Sequence, residues 1–487
     1  MCGTYIYMAN KYHALSIKIW IAYILFIIST IIQLLIAIIV DVQPSDTTFF
    51  RYSIKFNFQP DLPWFTLTGL FLFPFVSSYL SSVSYIKDNP SIVEVYGRKS
   101  LLHRIKLEFH LGNPEKLDLS KENITAFLSD LAQGEPIGTY ENLEMLLAVG
   151  IKTDQLIHKT KSKSVKRVFI SDSLVPNAYT LRFIPIPILG QDWIILNRNV
   201  VEILNQEEIQ AVIAHEIGHT KKYDSWINSI LFAPRLILSF VWIFLLLKVG
   251  IIIFQDPFSV NSFIRLAFLL SIIASFKIVV KSNMKLIEYA HRNSELIADN
   301  YAAKIIDPNI LMNALIKIGL RGDIINSIEY ELKKYEKIIP EIDFEPIITN
   351  LLFLIESSEL SREKTIGVIQ ATFNEQVKHY LFNKYKDRMK QDEITELYNK
   401  LISKIKESQI ELEESLSNKI ILLEPILKHA NGLLNNDQIY ELIKTINESD
   451  SYLFWSEFLE IKNKIPKSNL HPSLSSRIQI IYKNYIL

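Results

Sequence analysis

At 487 residues the chain is long enough for more than one folding unit. Its 52 basic residues balance 52 acidic ones, so charge gives no sign of nucleic acid or another polyanionic partner. The single cysteine, Cys2, excludes an intrachain disulfide and a cysteine-rich zinc site, and 14 glycines are too few for a Gly-rich linker.

Four apolar runs have the length of membrane spans. Ile19 to Val40 runs 22 residues without a charge, about 33 Å as a helix against a hydrocarbon core of roughly 30 Å. Trp64 to Tyr85 is a second uncharged run that opens with an interfacial residue type. Leu236 to Phe254 is interrupted by Lys248. Ser262 to Val280 carries Arg265 and Lys277 near its ends, where long side chains can snorkel to the interface. The first run is too long for a signal-peptide core and has no small-residue cleavage site after it. Lys11, Lys18, Lys87, Arg98 and Lys99 flank the first two runs on one side, and Lys221, Lys222, Arg235, Lys281 and Lys285 flank the last two. The loop between the last two has no basic residue, and the loop at 41–63 has two, Arg51 and Lys55, against three aspartates. The positive-inside rule therefore predicts both termini and the motif-bearing segments in the cytoplasm, with the loops at 41–63 and 255–261 on the other side.

Residues 87–165 are charged and mixed, with helical stretches such as Lys99 to His110 and Lys121 to Ala132. Lys166 to Ser171 and Asp192 to Asn197 read as short strands, rich in β-branched and aromatic residues. Val175-Pro176-Asn177-Ala178-Tyr179, between them, reads as the entry to another. Asn205, with Glu208 three residues on, predicts a helix start. That helix runs through Ile209, Val212 and Ile213 into His215-Glu216-Ile217-Gly218-His219.

Two histidines four apart share one helix face, so both imidazoles can reach one Zn²⁺. Glu216, directly after the first, can take a proton from a water that the metal activates. On a second predicted helix Arg292, Glu295, Asp299 and Ala302 recur at three- and four-residue steps and share a face. Glu295, 76 residues after His219, would complete a His₂Glu set with the fourth position open, the mark of a catalytic zinc. Asp299, one turn on, is placed to accept a hydrogen bond from the far nitrogen of a zinc histidine. Asp224 and Arg292 could support the ligands or form local salt bridges, and His291 is a rival ligand. From Asp307 to about Phe458 the pattern is charged and helical, with breaks expected at Pro308, Pro340, Pro346 and Pro425. That region is either a solvated helical domain or a cap that gates substrate or binds a partner.

Four pieces in order, Pro176 to Tyr179, Ala211 to His219, Arg292 to Asp299, and His471-Pro472 through Arg477-Ile478, resemble one family. It is the integral-membrane zinc metallopeptidases that include the heat-shock protease HtpX and the CAAX prenyl endopeptidases. The layout of two spans before the first histidine and two before the ligand glutamate is closer to HtpX. The similarity covers residues 165–305 and 468–482; the segments at 87–145 and 307–458 depart from it.

The resemblance implies a mainly α protein with a small β-sheet, a zincin-like metallopeptidase domain combined with four transmembrane helices. One Zn²⁺ per chain would sit on His215, His219 and Glu295, with Glu216 as base. Asn177 and Ala178 would contact an extended peptide on a strand edge, and His471 or Arg477 would stabilise the oxyanion. The expected organisation is a segment 1–86 with spans at about 19–40 and 64–85, then a cytosolic catalytic part at 87–227. Spans at about 236–254 and 262–280 follow within 228–281, then a catalytic helix at 282–306, a helical insertion at 307–458 and a return to the catalytic domain at 459–487. The implied function is a multi-pass cell-membrane endopeptidase acting at a cytoplasmic site on polypeptides, above all membrane proteins in quality control. Its surroundings would be lipid, with no nucleic acid. A CAAX-type prenyl-protein peptidase and a non-catalytic membrane scaffold with a helical partner-binding domain are the alternatives.

Overall fold

The computed structural model describes residues 16–29, 92–109, 122–133, 140–171, 175–182, 191–221, 260–338, 362–416, 432–449, 451–454 and 472–486, with isolated positions between. The elements in order are α1 (16–29), β1 (Val93–Tyr96), α2 (Leu101–Glu108), α3 (Glu122–Ala132), α4 (Tyr140–Thr160), β2 (Val165–Ser171), β3 (Ala178–Arg182) and β4 (Asp192–Asn197). They continue with α5 (Arg198–Ile203), α6 (Gln206–Lys221), α7 (Val260–Ile305), α8 (Pro308–Ile338), α9 (Arg362–Tyr385), α10 (Gln391–Leu416), α11 (Asn436–Ser449) and α12 (Leu474–Tyr485). Helix dominates and one small sheet is present, as the sequence leads one to expect.

The sheet has the order β1-β2-β4-β3, with β2 and β4 parallel and the outer strands antiparallel to them. The two central strands are the most apolar and lose all contact with solvent at Val168, Ile194, Ile195 and Leu196. Near-continuous burial suits strands covered on both faces. α4 and α6 lie side by side against this sheet. β3 is an edge strand held in register on β4 through Ala178 opposite Leu196 and Thr180 opposite Ile194. This order brings Asn177 and Ala178 to the rim of the sheet beside α6.

The start of α6 is fixed by the reciprocal cap that Asn205 and Glu208 predict. The Glu208 N–H donates to Asn205 Oδ1, and the Asn205 N–H donates to Glu208 Oε2, each at 2.9 Å. Glu208 is fully buried, and Lys317 Nζ from α8 pairs with it at 2.7 Å. α7 is one helix of 46 residues, about 69 Å long, so the run at 262–280 continues without a break into the segment carrying Glu295. Pro308 begins α8, where a missing N–H costs nothing.

One large core joins the sheet, α2 to α6, the end of α7 and α12. It also takes in Leu311, Met312, Leu315 and Ile316 of α8 and Leu423, Leu434, Ile439 and Phe454. A separate cluster is built from Tyr335, Phe373, Val377, Leu381, Ile394 and Ile402. The described residues of 307–458 are thus divided between two cores. A third cluster packs Ile19, Ala22, Tyr23 and Phe26 of α1 on Ile287, Ala290 and Ile297 of α7.

Among the described residues no helix is long and apolar enough to cross a membrane. Nearly all of the second and third expected spans, and the later part of the first, lie outside the described residues; the fourth is helical in backbone, with side chains described at some positions only. The outer face of α1 is apolar and exposed: Ile17, Trp20, Ile21, Ile24, Leu25 and Ile28 each keep between 46 and 51% of their surface.

Candidate metal centre

α6 carries His215 and His219 on one face, and α7 crosses it where both backbones come close. A Cβ added at Gly218 would lie 2.9 Å from Ala298 Cα, so glycine permits the approach. The crossing sets Glu295 against both imidazoles. His215 Nε2 and His219 Nε2 are 3.1 Å apart, Glu295 Oε2 is 3.4 Å from the first, and Glu295 Oε1 is 3.5 Å from the second. An ion held tetrahedrally by bonds of about 2.0–2.1 Å separates its ligand atoms by about 3.3–3.4 Å. The donor set fits such an ion. These three residues form the candidate metal cluster among the described residues.

Each candidate ligand has a support. Asp299 Oδ1 accepts a hydrogen bond from His215 Nδ1 at 2.9 Å, which turns the other ring nitrogen towards the ligand set. Ser294 Oγ lies 3.4 Å from His219 Nδ1. Arg477 of α12 grips Asp299 from the other side, Nε to Oδ2 at 2.7 Å and Nη2 to Oδ1 at 2.6 Å. Its Nη1 is 3.4 Å from Glu295 Oε2. All of these groups are buried except His219, which is half-buried. Burial alone would raise the Asp299 pKa, yet the Arg477 charge and the His215 hydrogen bond hold it below the usual carboxylate range. Burial would likewise lower His215, but the hydrogen bond and charge of Asp299, with Glu295, push it up to about 10 in the metal-free protein.

Glu216 faces the strand edge. Thr180 Oγ1 donates to Glu216 Oε2 at 2.8 Å and lies 3.3 Å from its backbone carbonyl. A cleft of about 260 Å³ opens here, lined by Pro176, Asn177, Ala178, Val212, His215, Glu216, Glu295, Leu311, Leu315, Ile318, Pro472, Leu474 and Arg477.

The structure therefore brings together His215, Glu216, His219, Glu295, Asp299, Asn177, Ala178 and Arg477. Arg292 is half-buried on α7 and does not line the cleft, and His291 is not part of the metal cluster. His471 and Asp224 lie outside the described residues. Sequence reasoning missed Thr180, Ser294 and Gly218. Thr180 was within reach, since alternation along β3 puts it on the same face as Ala178.

Comparison with known proteins bears on the same residues. The pattern of peptidase family M48 matches residues 152–483. A protease HtpX homolog of Thermoplasma volcanium is 36% identical over 158 residues, 32% of this chain and 46% of the relative. A plastoglobule-localized metallopeptidase 48 of Arabidopsis thaliana, chloroplastic, is 42% identical over 55 residues, 11% of this chain and 14% of the relative. The chain thus matches less than half the length of either curated relative. No solved structure matches it.

Proposed function

The chain belongs to peptidase family M48, and from that premise we propose that it is an HtpX-like zinc endopeptidase of the cell membrane. It cuts polypeptides, chiefly membrane proteins in quality control, at a cytoplasmic site. The observation that carries the reading is the convergence of His215, His219 and Glu295, with ligand atoms all within 4.8 Å, where His215, Glu295 and Glu216 line one cleft.

His215, His219 and Glu295 would hold one Zn²⁺, which when bound polarises the scissile carbonyl and lowers the pKa of water. Glu216 takes a proton from the attacking water and passes it to the leaving amine. Thr180 ties down Oε2 of that carboxylate, which leaves Oε1 for the proton. The peptide adds as a strand along β3, where Asn177 and Ala178 line the cleft. Arg477 has two nitrogens committed to Asp299, so its offer to a developing oxyanion is its charge and Nη1.

The membrane setting rests on the four apolar runs and on the exposed apolar face of α1. With the basic residues that flank the runs, they support a multi-pass topology with the site and both termini in the cytoplasm. The test is cleavage of casein and of a membrane protein by detergent-purified protein, wild type beside Glu216→Gln, with zinc measured on both. Zinc in both and cleavage by wild type alone is the expected result. Equal cleavage by both would remove Glu216 from the mechanism, and absence of zinc from both would overturn the zinc reading.

A further inference from the structure

We infer that the cleft selects peptides with a large apolar side chain next to the scissile bond, a specificity set by α8; this rests on the peptidase reading above. Leu311, Leu315 and Ile318 line the cleft at positions i, i+4 and i+7, which is one stripe of the helix. Val212 of α6, one turn before Glu216, and Leu474 of α12 extend the wall on either side. Beyond the three charged groups of the reacting centre and Arg477, no charged side chain lines the cleft among the described residues. A charged substrate side chain seated against Leu311, Leu315 and Ile318 would give up its hydration with no polar partner on that wall. A glycine or alanine would leave the partly exposed Ile318 and Leu474 in water. About 260 Å³ is smaller than the cavities that hold a whole drug-sized ligand, so it suits one substrate side chain and the adjoining backbone. The selection therefore acts at one position beside the cut, with the rest of the peptide held through its backbone on β3.

The experiment uses the zinc-loaded full chain in detergent, wild type beside Glu216→Gln. A random-sequence decapeptide mixture is digested and the cut sites are read by mass spectrometry. Leu, Ile, Phe or Met should be enriched at one fixed position flanking the cut. In single peptides, Leu→Ala there should lower kcat/KM by roughly tenfold or more, and Leu→Asp by more still. Ile318 is half-buried, so Ile318→Lys can fold; it should weaken cleavage of the Leu peptide and favour the Asp peptide, with zinc content unchanged. An even residue distribution on both sides of the cut, or an Ile318→Lys protein that keeps zinc and the wild-type ranking, would overturn the inference while leaving the peptidase reading intact. Cleavage no greater than that by Glu216→Gln would overturn both. Should Ile318→Lys lose its zinc, the wild-type profile alone decides.

Discussion

Asp299 serves two partners with two oxygens: His215 Nδ1 on Oδ1, and Arg477 on both. An amide at this position cannot accept from all of them, because one of its two atoms becomes a donor. Asp299→Asn is therefore expected to weaken zinc by about 10–100-fold, the usual effect of removing a ligand's partner, in a competition titration against a chelator. Unchanged affinity would make Asp299 a structural carboxylate. Thr180→Val removes the donor to Glu216 and leaves the ligands alone. It should lower kcat with KM and zinc content preserved, and Thr180→Ser should restore it; a rise in KM alone would contradict this. A third prediction concerns pH. In the metal-free protein the His215 pKa is raised to about 10, above its unfolded value of about 6.5. A raised pKa stabilises fully below the unfolded value, and that stability is lost as pH rises through the folded one. Metal needs the neutral ring. Chelator-treated protein should therefore lose Tm between about pH 7 and 10, and zinc-loaded protein should not share that slope. Parallel declines would refute the assignment.

The crossing of α6 and α7 is where two elements make one site. Gly218→Ala places a methyl 2.9 Å from Ala298 Cα, and overpacking of this kind costs about 1–3 kcal/mol. Because both helices carry candidate ligands, the variant should lose zinc affinity together with thermal stability. A stable variant with wild-type zinc binding would show that the helices slide apart without moving Glu295. Much of this architecture is legible in the sequence because its signals are local. The reciprocal cap at Asn205 and Glu208, the four-residue step between the histidines and the shared face of Glu295 and Asp299 all lie within a few turns of helix. What was not legible is long-range. The resemblance brings Arg477 to the site as an oxyanion group, but nothing in its own stretch names Asp299, 178 residues away, as its partner, and Thr180 meets Glu216 only because β3 sits at the sheet edge. The short β1 and the helix α4 escape notice for a related reason. Their apolar residues are interspersed with charge, and it is the sheet that completes their burial.

At the scale of the whole molecule, the division of 307–458 between two cores decides which parts can be removed. The charged helical pattern reads as one insertion, since periodicity reports that a helix has an apolar face but not what covers it. The structure pins the two ends of this stretch to the catalytic core. Asn313 exchanges hydrogen bonds with the backbone of Leu434, at 2.8 and 2.9 Å. A Cβ added at Gly319 would fall 2.2 Å from the ring of Phe454, so the ring lies directly on the α8 backbone. Between them, α9 and α10 pack on each other and on the later part of α8 around Tyr335 and Phe373. Deleting 307–458 outright would strip Leu311, Met312, Leu315, Leu434, Ile439 and Phe454 from the main core. Even one such side chain cut back to alanine costs about 2–5 kcal/mol, against a total stability of about 5–15 kcal/mol. That deletion should therefore abolish folding and zinc binding. Excising only α9 and α10, residues 362–416, behind a short Gly-Ser linker removes the satellite cluster except Tyr335 of α8 and leaves those six residues in place. The trimmed protein should keep its zinc and cut short peptides within a few-fold of wild type, measured beside Glu216→Gln. If it keeps zinc but cuts peptides several-fold faster, α9 and α10 restrain access to the cleft. If it loses zinc, the two cores fold as one unit, and the satellite helices belong to the catalytic fold.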